Sequence, residues 1–129
     1  MKRLFPTLSL AAVLLFGCTK NCENDQRPVD LEIVDAGLPD GSVQGRNIRA
    51  HVRYAVPGSC YGFDRFDISS RASAFDIRVK GFYESRSVCQ DYLALPDSVI
   101  SINAQAPGRY ALNFYNKDVL FRTDTVLVN

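Results

Sequence analysis

Five side chains in this sequence are equipped for covalent or acid–base chemistry: Cys18, Cys22, Cys60, Cys89 and the single histidine, His51. A cysteine nucleophile needs a thiolate held beside a base. His51 is the one imidazole available, and it sits between two cations in the alternating run Arg49-Ala50-His51-Val52-Arg53. Zinc needs three or four converging ligands, and the chain has neither CxxC nor HxxxH spacing. Asp64 and Asp67 are close enough in sequence for paired-carboxylate chemistry, which requires a cleft that raises one of the two pKa values. No glycine-rich stretch precedes a helical pattern, as a phosphate cradle requires. These absences point away from an enzyme, and no cofactor or metal is expected. What remains is binding chemistry. Arg49, His51 and Arg53 form a cationic stripe that could take a phosphate or an acidic glycan, although the same spacing describes the wet face of a strand. Tyr61 and Phe63, with Phe82, Tyr83 and Tyr92, could stack on a sugar ring, but the chain lacks Trp, the residue with the largest stacking face.

The amino-terminal stretch must be set aside before the fold is read. Met1-Lys2-Arg3 is basic, and Leu8 to Phe16 is apolar apart from Ser9. That run is too short for a bilayer core of about 30 Å, which needs roughly 20 apolar residues, so it reads as a targeting segment. It ends in Leu15-Phe16-Gly17-Cys18, which resembles the lipobox of bacterial lipoproteins. The resemblance implies that residues 1–17 are a signal peptide and that Cys18 is acylated as the first residue of the mature chain. It implies attachment to a membrane of the bacterial cell envelope, held stably once two or more acyl chains are present. Thr19 rather than Asp follows Cys18, which by the same resemblance favours the outer membrane. Lys20, Glu23 and Asp25 loosely resemble a surface-export signal and serve equally as a solvated tether over 18–28.

The rest of the chain suits one domain over 29–129. The full sequence has 15 basic and 14 acidic residues, a net charge of +1. The leader removes Lys2 and Arg3, so the mature chain is close to neutral and offers no general attraction to nucleic acid. Export makes a disulfide the expected state of paired cysteines. Cys22, Cys60 and Cys89 allow three single bridges. Cys60–Cys89 is favoured because both flank or occupy expected strands, whereas Cys22 lies on the tether. Closing that loop is worth about 3 to 4 kcal/mol on the chain-entropy model.

The periodicity is β throughout. Val29, Leu31 and Ile33 alternate with Asp30, Glu32 and Val34, and the turn-forming run Asp35 to Gly41 ends that strand. Ile48 to Val56 alternates most cleanly, with Ile48, Ala50, Val52, Tyr54 and Val56 on one face. Cys60 to Ile68 slips by one near Asp64-Arg65, which marks a bulge. Phe75, Ile77 and Val79 make another half-wet strand, Val88 to Leu95 a short one, and Val99 to Ile102 a short strand or edge. Ala106-Pro107-Gly108-Arg109-Tyr110 places Gly two residues before Tyr, with Leu112 and Phe114 continuing the same face. This resembles the tyrosine corner that opens the penultimate strand of immunoglobulin-like domains, where the hydroxyl bonds back to the backbone. A hairpin at Tyr115 to Asp118 then leads into a last strand, Val119 to Val128.

The expected fold is therefore all-β, an antiparallel immunoglobulin-like β-sandwich of about seven or eight strands. The expected role is a lipid-anchored binding or structural accessory with an envelope protein as partner. Its candidate surface is the loops Gly37 to Arg46, Pro57 to Gly62 and Glu84 to Ser87. A glycan-binding surface lipoprotein and an inhibitor of an exported hydrolase are the alternatives. No loop identifies itself as a plug from sequence.

Overall fold

The structure, a computed structural model, describes residues 25–129. Nine strands and no helix occupy them: β1 (Gln26–Leu31), β2 (Ile33–Gly37), β3 (Val43–Gln44), β4 (Asn47–Tyr54), β5 (Tyr61–Arg71), β6 (Ala74–Glu84), β7 (Asp97–Asn103), β8 (Gly108–Asn116) and β9 (Val119–Val128). Nine exceed the seven or eight expected because the first alternating run divides in two and β3 is a two-residue strand, while the strand expected over Val88 to Leu95 does not form. The sheet also takes in Gln26, Arg27 and Pro28, which sequence had left on the tether. They pair with Glu84, Tyr83 and Phe82.

Two sheets result. In the larger, β6 is central and β5 runs antiparallel along its full length. On β6's other side, β1 lies antiparallel to Val79 to Glu84, while β8 lies parallel to Ala74 to Ile77, so β1 and β8 meet end to end. β9 closes this sheet beyond β8. In the smaller sheet β4 is central, with β7 on one side and β2 and β3 in line on the other. The β6–β8 pair corrects the expectation of a purely antiparallel sandwich. The chain leaves β6, crosses to the small sheet for β7 and returns as β8, so β8 reaches β6 by a crossover and need not reverse direction.

The alternation decides which faces meet. Ile48, Ala50, Val52 and Tyr54 of β4 and Ile100 and Ile102 of β7 are buried against Phe75, Ile77 and Val79 of β6 and Tyr110, Leu112 and Phe114 of β8. Each large apolar side chain so buried contributes about 1.5 to 3 kcal/mol relative to exposure. The slip expected near Asp64-Arg65 is a register shift between Phe63 and Arg65. It lets β5 keep Phe66 inward after two polar residues in succession.

The first run changes sheets at Glu32 without losing its inward pattern: Leu31 and Ile33 are both buried. At the change, the Asn116 side chain stands in for a neighbouring strand. Its Nδ2 donates to the Ile33 carbonyl at 3.1 Å, and its Oδ1 accepts from the Ile33 amide at 2.7 Å. Both backbone groups are therefore satisfied where the ladder breaks. On the outer face of the larger sheet, the buried Asp76 carboxylate accepts from Arg71 at 2.9 Å and from Asn113 at 3.1 Å. Asn113 in turn accepts from the Thr123 hydroxyl at 2.9 Å, so one network ties β5, β6, β8 and β9. Burial pushes the Asp76 pKa up, but the Asn113 and Arg71 hydrogen bonds and the Arg71 charge outweigh it and hold the carboxyl below its ordinary range.

Candidate binding loop and charged stripe

Cys18 lies outside the described residues. Cys60 and Cys89 form a disulfide with Cα atoms 5.4 Å apart, a spacing that the bond requires. Arg49, His51 and Arg53 do share the outer face of β4, but the structure supplies the stripe with its own anion. Asp97, paired with Arg53 across β4–β7, accepts from Arg53 Nε at 3.0 Å and Nη2 at 2.9 Å. The His51 Nε2 lies 2.6 Å from the same carboxylate. The Arg53 hydrogen bond first, and the His51 bond second, bring the Asp97 pKa down to about 2. His51 and Arg53 thus form a clasp with Asp97 between β4 and β7, leaving Arg49 exposed beside it.

Tyr61 is half-buried and Phe63 is 39% exposed, and the two rings pack on different neighbours. Phe63 stacks on Tyr54 with centroids 5.3 Å apart, and Tyr61 meets Tyr83 edge-on at 5.0 Å. A shallow groove of about 650 Å³ passes beside Tyr61 where β1 leaves the large sheet. Four of its charged side chains pair, Lys80 with Asp30 and Arg65 with Asp64, each at 2.5 Å, and Lys117 also lines it. Among the described residues no group of three His, Cys, Asp or Glu side chains could hold a metal ion.

A group of exposed apolar side chains lies where sequence placed a strand. Val88 to Leu95 does not join either sheet; its sole ladder contact is an isolated bridge between Ala94 and Val56. The residues belong to a twelve-residue connection, 85–96, that carries the chain from β6 in one sheet to β7 in the other. A connection this long with little secondary structure of its own is uncommon in a compact domain and is usually functional. Residues 85–93 are exposed without interruption. Val88 is 73% exposed, Leu93 66%, Tyr92 48% and Leu95 45%.

Despite that exposure the loop is fastened along its length. The disulfide holds Cys89 to the segment between β4 and β5. Next to it, the Ser59 amide donates to the Gln90 carbonyl at 3.0 Å, and the Gln90 amide donates to the Ser59 hydroxyl at 2.8 Å. Four residues on, Val56 and Ala94 exchange both backbone hydrogen bonds, at 2.8 and 3.0 Å, and Tyr54 donates to the Pro96 carbonyl at 3.2 Å. Gly58 permits this approach: its φ is 151°, and a Cβ there would stand 2.9 Å from the Gln90 carbonyl oxygen. Between the two fastenings lie Asp91, Tyr92 and Leu93. From Val88 to Pro96 the backbone has neither turn nor bend.

Of the expected loops, Pro57 to Gly62 supplies the backing for this segment, and Glu84 to Ser87 is its beginning. Gly37 to Arg46 is separate from it in sequence and carries β3. A signal was available for the remainder. Val88-Cys89-Gln90-Asp91-Tyr92-Leu93-Ala94-Leu95 breaks period two at Gln90-Asp91 and then runs four apolar residues together, a pattern no half-buried strand requires.

No family model, no curated protein and no solved structure matches this chain.

Proposed function

We propose that this chain is a lipid-anchored protein-binding module of the bacterial envelope, held through Cys18 to the outer membrane, with 85–96 as its recognition loop. The observation that carries the binding role is the combination in that loop of exposed large apolar side chains and a backbone fastened at both flanks. Exposed apolar side chains supply contact energy on burial, and a loop already fixed loses little conformational entropy when it binds. The anchor rests on the lipobox resemblance of Leu15-Phe16-Gly17-Cys18. The two parts fit together: the Ser85 amide donates to the Asp25 carbonyl at 3.4 Å, so the recognition loop begins beside the point where the tether enters the fold. The partner is therefore a protein that lies at the membrane surface.

For the immunoglobulin-like reading, support comes from the corner at Tyr110, whose hydroxyl donates to the Ala106 carbonyl at 2.6 Å, four residues upstream. The parallel β6–β8 pair departs from that family's pattern. The glycan-binding alternative is weakened by the separate packing of Tyr61 and Phe63.

The test is in-cell photo-cross-linking of the full-length chain, with the photoreactive residue at Tyr92, Leu93 or, as a control, at Arg49. Reproducible capture of one envelope protein from the two loop positions and not from Arg49 is expected. Equal capture of abundant neighbours from all three positions overturns the binding role. Retention of the chain in the membrane fraction after Cys18→Ser substitution overturns the anchor.

A further inference from the structure

We infer that 85–96 is a substrate-like loop, presented to an endopeptidase whose specificity pocket takes a large apolar side chain, and that it blocks that peptidase rather than feeding it. This inference rests on the protein-binding reading and names the class of partner.

Peptidases accept substrates as extended backbone, since adjacent strand-like hydrogen bonds align the scissile bond. A folded protein rarely offers such a segment, because extended chain is normally paired in a sheet or turned back at the surface. Val88 to Pro96 is extended, joined to neither sheet, and exposed through Leu93. Leu93 is the most exposed large apolar residue between the fastenings and is the side chain that enters the pocket; Tyr92 contacts the adjoining cleft wall. Neither carries the fold, since both project away from the core.

The fastenings explain why binding does not lead to loss of the loop. If the peptidase is of the serine type, its hydroxyl oxygen bonds to the Leu93 carbonyl carbon while the Leu93–Ala94 bond breaks. The Ala94 nitrogen receives the proton that the hydroxyl gave to the enzyme's base. In an ordinary substrate the new amine diffuses off and water cleaves the ester. Here Ala94 stays in place through its two hydrogen bonds to Val56, and Gln90 is held through Ser59 and the disulfide. The amine therefore remains beside the ester and re-forms the peptide bond. A loop fixed on both sides of the attacked bond binds tightly and is hydrolysed slowly, because its ordering cost is already met in the free protein.

The experiment uses the full-length protein in detergent and a chymotrypsin-type serine peptidase as the probe. Competitive inhibition is expected, with slow cleavage confined to Leu93–Ala94. Leu93→Ser should weaken inhibition by about 30-fold or more, the size of a hot-spot truncation. Leu93→Arg should transfer inhibition to a trypsin-type probe, a change that a merely structural role for Leu93 cannot produce. The Cys60→Ser/Cys89→Ser double variant should be cut at the same bond at least about tenfold faster, as expected when preorganisation is lost. Rapid cleavage of the wild type, cleavage elsewhere, or no inhibition overturns the inference. If inhibition fails but photo-cross-linking from Tyr92 and Leu93 still captures one envelope protein, the peptidase is excluded and the binding role stands. Failure of both removes the two readings together.

Discussion

Four connections cross between the sheets, and the two that flank β7 are held in opposite ways. The short one, Ala104 to Pro107, is secured by side chains and burial. Ala104 is buried and its amide donates to the Arg46 carbonyl at 2.8 Å, while the Tyr110 hydroxyl reaches back to Ala106 and its ring stacks on Phe75 at 5.5 Å. The long one, 85–96, is secured by a disulfide and backbone bonds while its apolar side chains point outward. In the first, the residues that define the path are consumed in holding it. In the second, fixing the path leaves the side chains free. Recognition needs the second arrangement, because a side chain already spent on the core has no surface left for a partner.

Breaking the short crossing should have the largest effect. Tyr110→Ala removes a buried ring and its corner bond, and should cost about 3 to 5 kcal/mol by urea unfolding. Tyr110→Phe isolates the hydrogen bond at about 1 kcal/mol. Next comes the long crossing: reducing the disulfide, or Cys60→Ser/Cys89→Ser, should cost about 3 kcal/mol. Amide exchange should localise the greatest loss of protection to Gln90 and Ala94, whereas the Tyr110 variants lower protection throughout. The Asp97 clasp, on the surface, should matter less and only in acid. Its carboxyl titrates lower in the folded chain than in the unfolded one, so its contribution is complete above about pH 4 and lost as pH falls through about 2. Asp97→Asn should flatten the stability curve in that window, and an unchanged curve would show that the clasp carries no stability. The smallest effect belongs to the exposed loop residues. Tyr92→Ser and Leu93→Ser should leave stability within about 0.5 kcal/mol, and a larger loss would mean that these side chains support the fold after all.

Where the sequence alternates strictly, its pattern specified the structure residue by residue. Ile48, Ala50, Val52 and Tyr54 are inward as expected, as are Phe75, Ile77 and Val79, because period two has one meaning when one face is dry. The corner at Tyr110, the bulge beside Asp64 and the Cys60–Cys89 bridge were legible for similar reasons: each is a short-range constraint with its own residue signature. Strand order was not legible. The parallel β6–β8 contact arises from a crossover between sheets, and nothing local in Ala74 to Ile77 or Ala111 to Phe114 records which strand lies alongside. Val88 to Leu95 was read as a strand because its residues are apolar and without turn residues. Apolar content was read as burial, whereas these side chains are exposed. The cationic stripe was legible as a face, but its neutralising carboxylate came from 44 residues away in Asp97.

The pairing of Gln26 with Glu84, next to the Asp25–Ser85 bond, also fixes how this domain bears mechanical load. If the anchor holds the chain ahead of Asp25 and a partner holds 85–96, the pull acts on adjacent ends of β1 and β6. Antiparallel hydrogen bonds lie across the strands, so such a pull opens them one pair at a time rather than loading all six pairs together. The Cys60–Cys89 bond diverts part of that force into β5, which pairs with β6 along its opposite side. The disulfide thus makes a second load path, joining the loop to the sheet at a point that peeling of β1 does not reach.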